Sequence, residues 1–159
     1  LLTHGHFDHI MAAKELKGTW NVPIYACEKE IDVLTDGRKS LVAGYFREPY
    51  TITPDVTVKE GDELSIAGFT WKVFETPGHT IGSCCYYIEK EEVLFSGDTL
   101  FAGSYGRTDF PTGSGRQIAE SVRRLLSTLP DDTMVYPGHM DTTTIGFEKK
   151  YNPLSGAMG

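Results

Sequence analysis

Five histidines and two aspartates in this chain have types and spacings suited to holding metal ions. The segment Thr3-His4-Gly5-His6-Phe7-Asp8-His9 packs four metal-capable side chains into six residues. His4 and His6 lie two apart, so on an extended segment they point to the same side and can meet one ion. Asp8 and His9 fall where the loop turns into a helix, and can face a second ion close by. Borderline-soft divalent cations take neutral imidazole nitrogens with one or two carboxylate oxygens. An ordinary solvated loop has no use for this density of ligands.

The other two histidines repeat one arrangement. His79 sits in Thr76-Pro77-Gly78-His79-Thr80 and His139 in Tyr136-Pro137-Gly138-His139, each a tight turn after a strand-like run. Asp98 lies in Ser96-Gly97-Asp98-Thr99 after a third such run. Beside glycine, an aspartate is commonly a turn or cap residue. Its two oxygens can also bridge two cations, which no histidine can do, so with two metals present Asp98 is the natural bridge.

The elements around these loops read as mixed α/β. Helical spacing of Ile10, Ala13, Leu16 and Lys17 predicts a helix ending at Gly18. Val22 to Ala26 reads as a short buried strand and Glu28 to Leu34 as a helix stopped by Asp36-Gly37. Arg38 to Asp55, rich in Tyr, Phe and Pro, reads as a long surface loop of functional interest. Leu64 to Ile66, the turn Ala67-Gly68, and Phe69 to Phe74 predict a hairpin. Cys84 to Ile88, Val93 to Phe95 and Met134 to Tyr136 predict further strands. Ile118, Val122, Leu125, Leu126 and Leu129 mark one face of an amphipathic helix closed by Pro130, and Thr144 to Lys150 predicts a short final helix. Four polar loops thus follow strand-like runs, at Thr3, Pro77, Gly97 and Pro137, and every histidine lies in one of them or beside it.

His4-x-His6-x-Asp8-His9, followed by His79, Asp98 and His139, resembles the metallo-β-lactamase superfamily, and within it the glyoxalase II-like hydrolases. The resemblance covers essentially the whole chain. It implies one domain over residues 1–159 built as an αββα four-layer sandwich with metals between the edges of two sheets. It also implies that His4, His6 and His79 hold one metal, that Asp8, His9 and His139 hold the other, and that Asp98 bridges them. The family carries a strand-rich segment before its first motif. Leu1-Leu2-Thr3 reads as the tail of a strand, so the chain is expected to lack its amino-terminal strands.

With these residues spent on two divalent ions, no histidine remains as general base. A hydroxide held between the ions is available near neutral pH and can attack an acyl carbonyl. Zinc is the default metal, with iron and manganese as alternatives. The resemblance gives Asp8 the further role of orienting the hydroxide, so Asp8 and Asp98 are the candidate catalytic residues. The expected substrate is a small acyl thioester or ester. The Gly-rich stretch Phe101 to Phe110 follows Asp98, and within it Tyr105 and Arg107 are candidate substrate contacts, Arg107 through a bidentate hold on a carboxylate. Arg107 could equally pair with Asp109. Glyoxalase II has a long helical carboxy-terminal extension, whereas only Met140 to Gly159 follow His139 here, which weakens glutathione as the natural leaving group. The likeness is rather to small single-domain bacterial members.

Two rival chemistries share these ligands. Persulfide dioxygenases resemble this family and use one iron, which would fall on His4, His79 and Asp98 here. Lactonases of the same superfamily are the second rival. A non-enzymatic metal scaffold is disfavoured because no ligand position is empty. A serine or cysteine nucleophile has little support: Cys84-Cys85 lies in an apolar strand, and Gly113-Ser114-Gly115 is only a broken elbow.

Composition narrows the partners. The 159 residues carry 15 Lys plus Arg against 22 Asp plus Glu, a formal charge of −7. No Lys/Arg block offers a phosphate backbone its counterion-release term, so nucleic acid is disfavoured. No apolar run approaches the roughly 18 residues of a membrane span. Three cysteines, two of them adjacent, form no disulfide framework, which predicts a reducing, cytoplasmic setting.

Overall fold

The computed structural model describes residues 1–156. Its helices and strands run in the order α1 (Phe7–Ile10), α2 (Ala13–Trp20), β1 (Tyr25–Cys27), α3 (Ile31–Thr35), α4 (Val42–Tyr45), β2 (Val56–Val58), β3 (Glu63–Ile66) and β4 (Phe69–Glu75). There follow β5 (Cys84–Ile88), β6 (Val93–Gly97), β7 (Leu100–Phe101), β8 (Ser104–Tyr105), α5 (Gly115–Thr128), β9 (Met134–Pro137), β10 (Thr143–Thr144) and α6 (Ile145–Tyr151). Short 3-10 turns at Glu28–Glu30 and Glu89–Glu91 precede α3 and β6.

Six strands form one sheet in the order β10-β9-β6-β5-β4-β3, and β1 and β2 pair in parallel as a second, small sheet. Three apolar layers show how these stack. Cys85, Tyr87, Leu94 and Val135 on one face of the large sheet pack against Ile118, Val122, Leu125 and Leu126 of α5 and Ile145 of α6. On the other face, Val73, Cys84 and Tyr86 meet Cys27 and Val58 of the small sheet. Behind the small sheet, Ala26 packs with Ile10, Ile24, Leu34 and Ile52. Cys84 to Tyr87 of β5 alternate between the first two layers, and all five residues of the strand are buried. The result is helices, sheet, sheet, helices: the αββα order, with two strands in the smaller sheet among the described residues.

The amphipathic helix forms as its spacing predicts. Ser114 caps α5, its hydroxyl accepting from the Gln117 N–H at 3.3 Å, and Ile118, Val122, Leu125 and Leu126 are fully buried. Gly68 at φ +82° closes the β3–β4 hairpin. The predicted helix from Ile10 to Gly18 is instead two helices. Tyr50 Oη donates to the Ile10 carbonyl at 3.0 Å and accepts from the Lys14 N–H at 3.3 Å. The phenol thus sits in the hydrogen bond that a continuous helix would make, and the break follows. The strand expected at Val22 to Ala26 lies slightly later, at β1. Leu1 to Thr3 is irregular, with a bend at Thr3, rather than a strand, although the Leu2 N–H donates to the Tyr25 carbonyl and the Thr3 carbonyl accepts from the Cys84 N–H, both at 2.9 Å. Residues 38–55 are not wholly irregular, since α4 lies within them. No helix among the described residues is long and apolar enough to cross a membrane.

Candidate metal centre

Strand direction brings the loops together. β4 is antiparallel to β5, β5 is antiparallel to β6, and β6 is parallel to β9. Therefore β4, β6 and β9 all run the same way, and their carboxy-terminal ends, which lead to His79, Asp98 and His139, open at one edge. The bond from Cys84 to Thr3 pins the start of the His4 loop beside that edge. The first histidine pair is thereby delivered to the other three loops.

All seven predicted metal positions meet there. His4, His6 and His79 form one close group, His4, His9 and Asp98 a second, and Asp8, His9 and His139 a third. His4, His6, His79 and Asp98 are buried, whereas Asp8 is exposed. Nε2 of His139 lies 3.3 Å from Nε2 of His9 and 3.1 Å from Oδ2 of Asp8, and that oxygen is 3.5 Å from His9 Nε2. A tetrahedral ion bound at about 2.0–2.1 Å needs ligand atoms about 3.3–3.4 Å apart, so this trio fits one. Asp98 turns Oδ1 to His9 Nε2 at 3.3 Å and Oδ2 to both His79 Nε2 and His139 Nε2 at 3.4 Å.

Hydrogen bonding leaves donor atoms open to a cation. Nδ1 of His79 donates to the Arg107 carbonyl at 2.7 Å, which makes Nε2 the lone-pair side of the neutral ring. Nδ1 of His6 approaches that Nε2 at 2.9 Å. Nε2 of His4 and Oδ1 of Asp98 are buried with no hydrogen-bond partner, a costly state for polar atoms that a cation relieves.

Burial also sets protonation. It pushes His4 well below the ordinary imidazole range, with the neighbouring histidines adding to the effect. His6 falls to about 4, burial first and His79 second. Burial likewise lowers His9 and His79. The rings are therefore neutral near pH 7, the form that binds metal. Asp98 rises to about 6, because burial outweighs the help it gets from His139.

Glycine makes the crowding feasible. A Cβ on Gly138 would lie 2.3 Å from Asp98 Oδ1 and 2.6 Å from His9 Cε1, so no side chain fits in that Pro-Gly-His turn. Nearby, the buried hydroxyls of Thr76 and Thr99 bond at 2.8 Å, tying the His79 loop to the Asp98 loop.

A cavity of about 420 Å³ opens over the cluster, and the two predicted substrate contacts, Tyr105 and Arg107, line it. Arg107 pairs with Asp109 through two bonds of 2.6 Å and lies 4.0 Å over the Phe110 ring. Sequence reasoning did not single out the apolar wall of Phe7, Leu41, Tyr45, Phe110 and Met140. The Tyr- and Phe-rich composition of residues 38–55 was the available signal for Leu41 and Tyr45. Also missed was Glu30, a buried carboxylate under two of the histidine loops.

Comparison with known proteins agrees with this geometry. A sequence profile described as the Metallo-beta-lactamase superfamily matches residues 1–139. The hydroxyacylglutathione hydrolase GloC of Haemophilus influenzae is 38% identical over 157 residues, covering 97% of this chain and 74% of that protein. The crystal structure of the BLEG-1 B3 metallo-beta-lactamase superposes with a TM-score of 0.90 at 40% identity, covering 98% of this chain and 76% of that one. TTHA1623, solved in a di-iron-bound form, gives a TM-score of 0.84 at 34% identity over 96% of this chain and 74% of its own.

Proposed function

The chain belongs to the metallo-β-lactamase superfamily, and from that premise we propose that it is a two-metal hydrolase of small acyl thioesters. The carrying observation is the place of Asp98 against both trios, its carboxylate 3.4 Å from His79 Nε2 of one and 3.3–3.4 Å from His9 and His139 Nε2 of the other. A carboxylate set between two groups of imidazoles is the arrangement that two neighbouring cations need. In this reading His4, His6 and His79 hold one ion, Asp8, His9 and His139 the other, and Asp98 joins them.

Zinc is the metal we assign, with iron and manganese suiting the same nitrogen and oxygen donors. Bound there, the ions supply water ionised near neutral pH and Lewis-acid polarisation of the acyl carbonyl. The chain does the rest. Asp8, the exposed carboxylate of the cluster, accepts a hydrogen bond from the attacking water and orients it. The Arg107 carbonyl holds the His79 ring in its working tautomer. Phe7, Tyr45, Phe110 and Met140 exclude bulk water around the scissile bond and receive the apolar part of the substrate, while Tyr105 and Arg107 face its polar end. The name of the GloC relative, a hydroxyacylglutathione hydrolase, supports the thioester class.

A second reading is supported by the likeness to ETHE1 from Myxococcus xanthus, with a TM-score of 0.76 at 33% identity over 95% of this chain and 59% of that one, while the di-iron form of TTHA1623 supports iron as the metal and two ions as the count. That second reading is the iron-dependent persulfide dioxygenase, with the metal on His4, His79 and Asp98. Metal content by element, measured on protein purified without chelator, separates the two when paired with two assays. About two ions per chain with release of free thiol from acyl thioesters is the expected result. One iron per chain with oxygen consumption on a persulfide and no thioester cleavage would replace the first reading with the second.

A further inference from the structure

Glu30 is a buried acid with no part in the chemistry above. It is 1% exposed and lies in the turn Glu28–Glu30 beneath the metal cluster. Its Oε1 accepts from the Gly5 N–H at 2.7 Å, and Gly5 stands between His4 and His6. Its Oε2 accepts from the Thr80 hydroxyl at 3.0 Å and the Gly82 N–H at 2.8 Å, both in the loop that carries His79. The second loop is pressed against this turn, since a Cβ on Gly82 would lie 2.2 Å from the Glu30 nitrogen.

We propose that Glu30 is a positioning residue that fixes His4 and His6 relative to His79, so that this trio is assembled before an ion arrives. The inference rests on the two-metal reading.

Energetics favour a geometric role over a purely stabilising one. The three donors are two backbone amides and a hydroxyl rather than a cation, and burial raises the Glu30 carboxyl to about 7 despite them. An apolar side chain would avoid the carboxylate's desolvation but would strand the donors of both histidine loops. What only a two-oxygen acceptor does is bond both histidine loops at once. His9, Asp8 and His139 make no bond to Glu30, so the clamp acts on one ligand trio and not on the other. Groups standing behind metal ligands typically tune metal affinity about ten- to a hundredfold.

The test is a zinc titration of the metal-stripped chain against a competing chelator, resolving two classes of site. Glu30→Gln turns an amide N–H toward one of the donors and breaks the clamp on one side. The expected result is a loss of about ten- to a hundredfold in affinity at one class, with the other unchanged. In a His79→Ala background, where the trio is already broken, Glu30→Gln should add no further loss. Val73→Ala, which thins the inter-sheet core at a β4 residue hydrogen-bonded to neither loop, serves as a destabilised control and should keep both affinities. Should Glu30→Gln fail to fold, Thr80→Val removes one donor alone and should give a smaller loss at the same class. Wild-type affinity at both classes in the variants overturns the proposal, and so does equal weakening of both or a matching loss in Val73→Ala. A wild-type chain that binds fewer than two ions overturns the two-metal reading itself, and is seen before any variant is made.

Discussion

In the folded chain Oδ1 of Asp98 lies 3.3 Å from Nε2 of His9, although one residue leaves the large sheet and the other sits on the first helix. With Oδ2 facing His79 and His139, one carboxylate touches imidazoles of both ligand trios. Asp98→Asn keeps the shape but replaces one oxygen by a donor. It should lower kcat/KM for a thioester by more than about a hundredfold, beyond what changes behind the ligands cost, and reduce bound metal below two ions per chain. Activity within tenfold of wild type would remove Asp98 from the bridging position.

Gly138→Ala tests whether crowding around Asp98 is required. The new methyl would sit 2.3 Å from Asp98 Oδ1, so the His139 turn must move away. Metal analysis should show a loss of about one ion per chain, while circular dichroism stays that of the folded protein. Full occupancy would mean that the turn yields without disturbing its ligand.

Arg107→Ala separates binding from chemistry. The side chain pairs with Asp109 and stacks on Phe110, whereas the bond to His79 uses the backbone carbonyl and survives the change. Steady-state kinetics should give a several-fold rise in KM for anionic substrates with a smaller change in kcat. An unchanged KM would take Arg107 out of the substrate contacts.

Acid should destabilise the metal-free chain. His4, His6, His9 and His79 all have lowered pKa values in the fold, His6 to about 4. Between the ordinary imidazole value of 6.5 and these lower values the unfolded chain binds more protons, so stability falls as pH falls. Asp98 and Glu30, raised to about 6 and about 7, act the other way: protonation relieves their buried charge. Four rings outweigh two carboxyls, and the melting temperature should drop between pH 7 and pH 5. A flat or rising melting temperature would mean that the carboxyls dominate.

Much of the cluster was legible before folding, for a physical reason. His4, His6, Asp8 and His9 are so close in sequence that any backbone brings them together, and the two Pro-Gly-His turns announce themselves by composition. Long apolar periods such as Ile118 to Leu129 were equally plain. Glu30 was not, because in Glu28-Lys29-Glu30 it has the look of a solvated charge, and only the tertiary fold buries it. Strands of two or three residues, among them β2, β7, β8 and β10, are too short to show a period. The break after Ile10 depends on Tyr50, which approaches only when residues 38–55 fold back.

The common direction of β4, β6 and β9 has a consequence for how such a molecule can change. The metal-facing turns hang from hydrogen-bonded strands, while Leu41 and Tyr45 of the cavity's apolar wall come from α4 and the residue before it, which belong to neither sheet. The side chains of Leu41 and Tyr45 can therefore vary without moving the ends of β4, β6 and β9, so long as Ser40 keeps its bond to the Phe7 N–H and Tyr50 its bond to the Ile10 carbonyl. On the proposed reading, a new substrate range is reachable at these two wall positions while the turns that follow the strands are inherited intact.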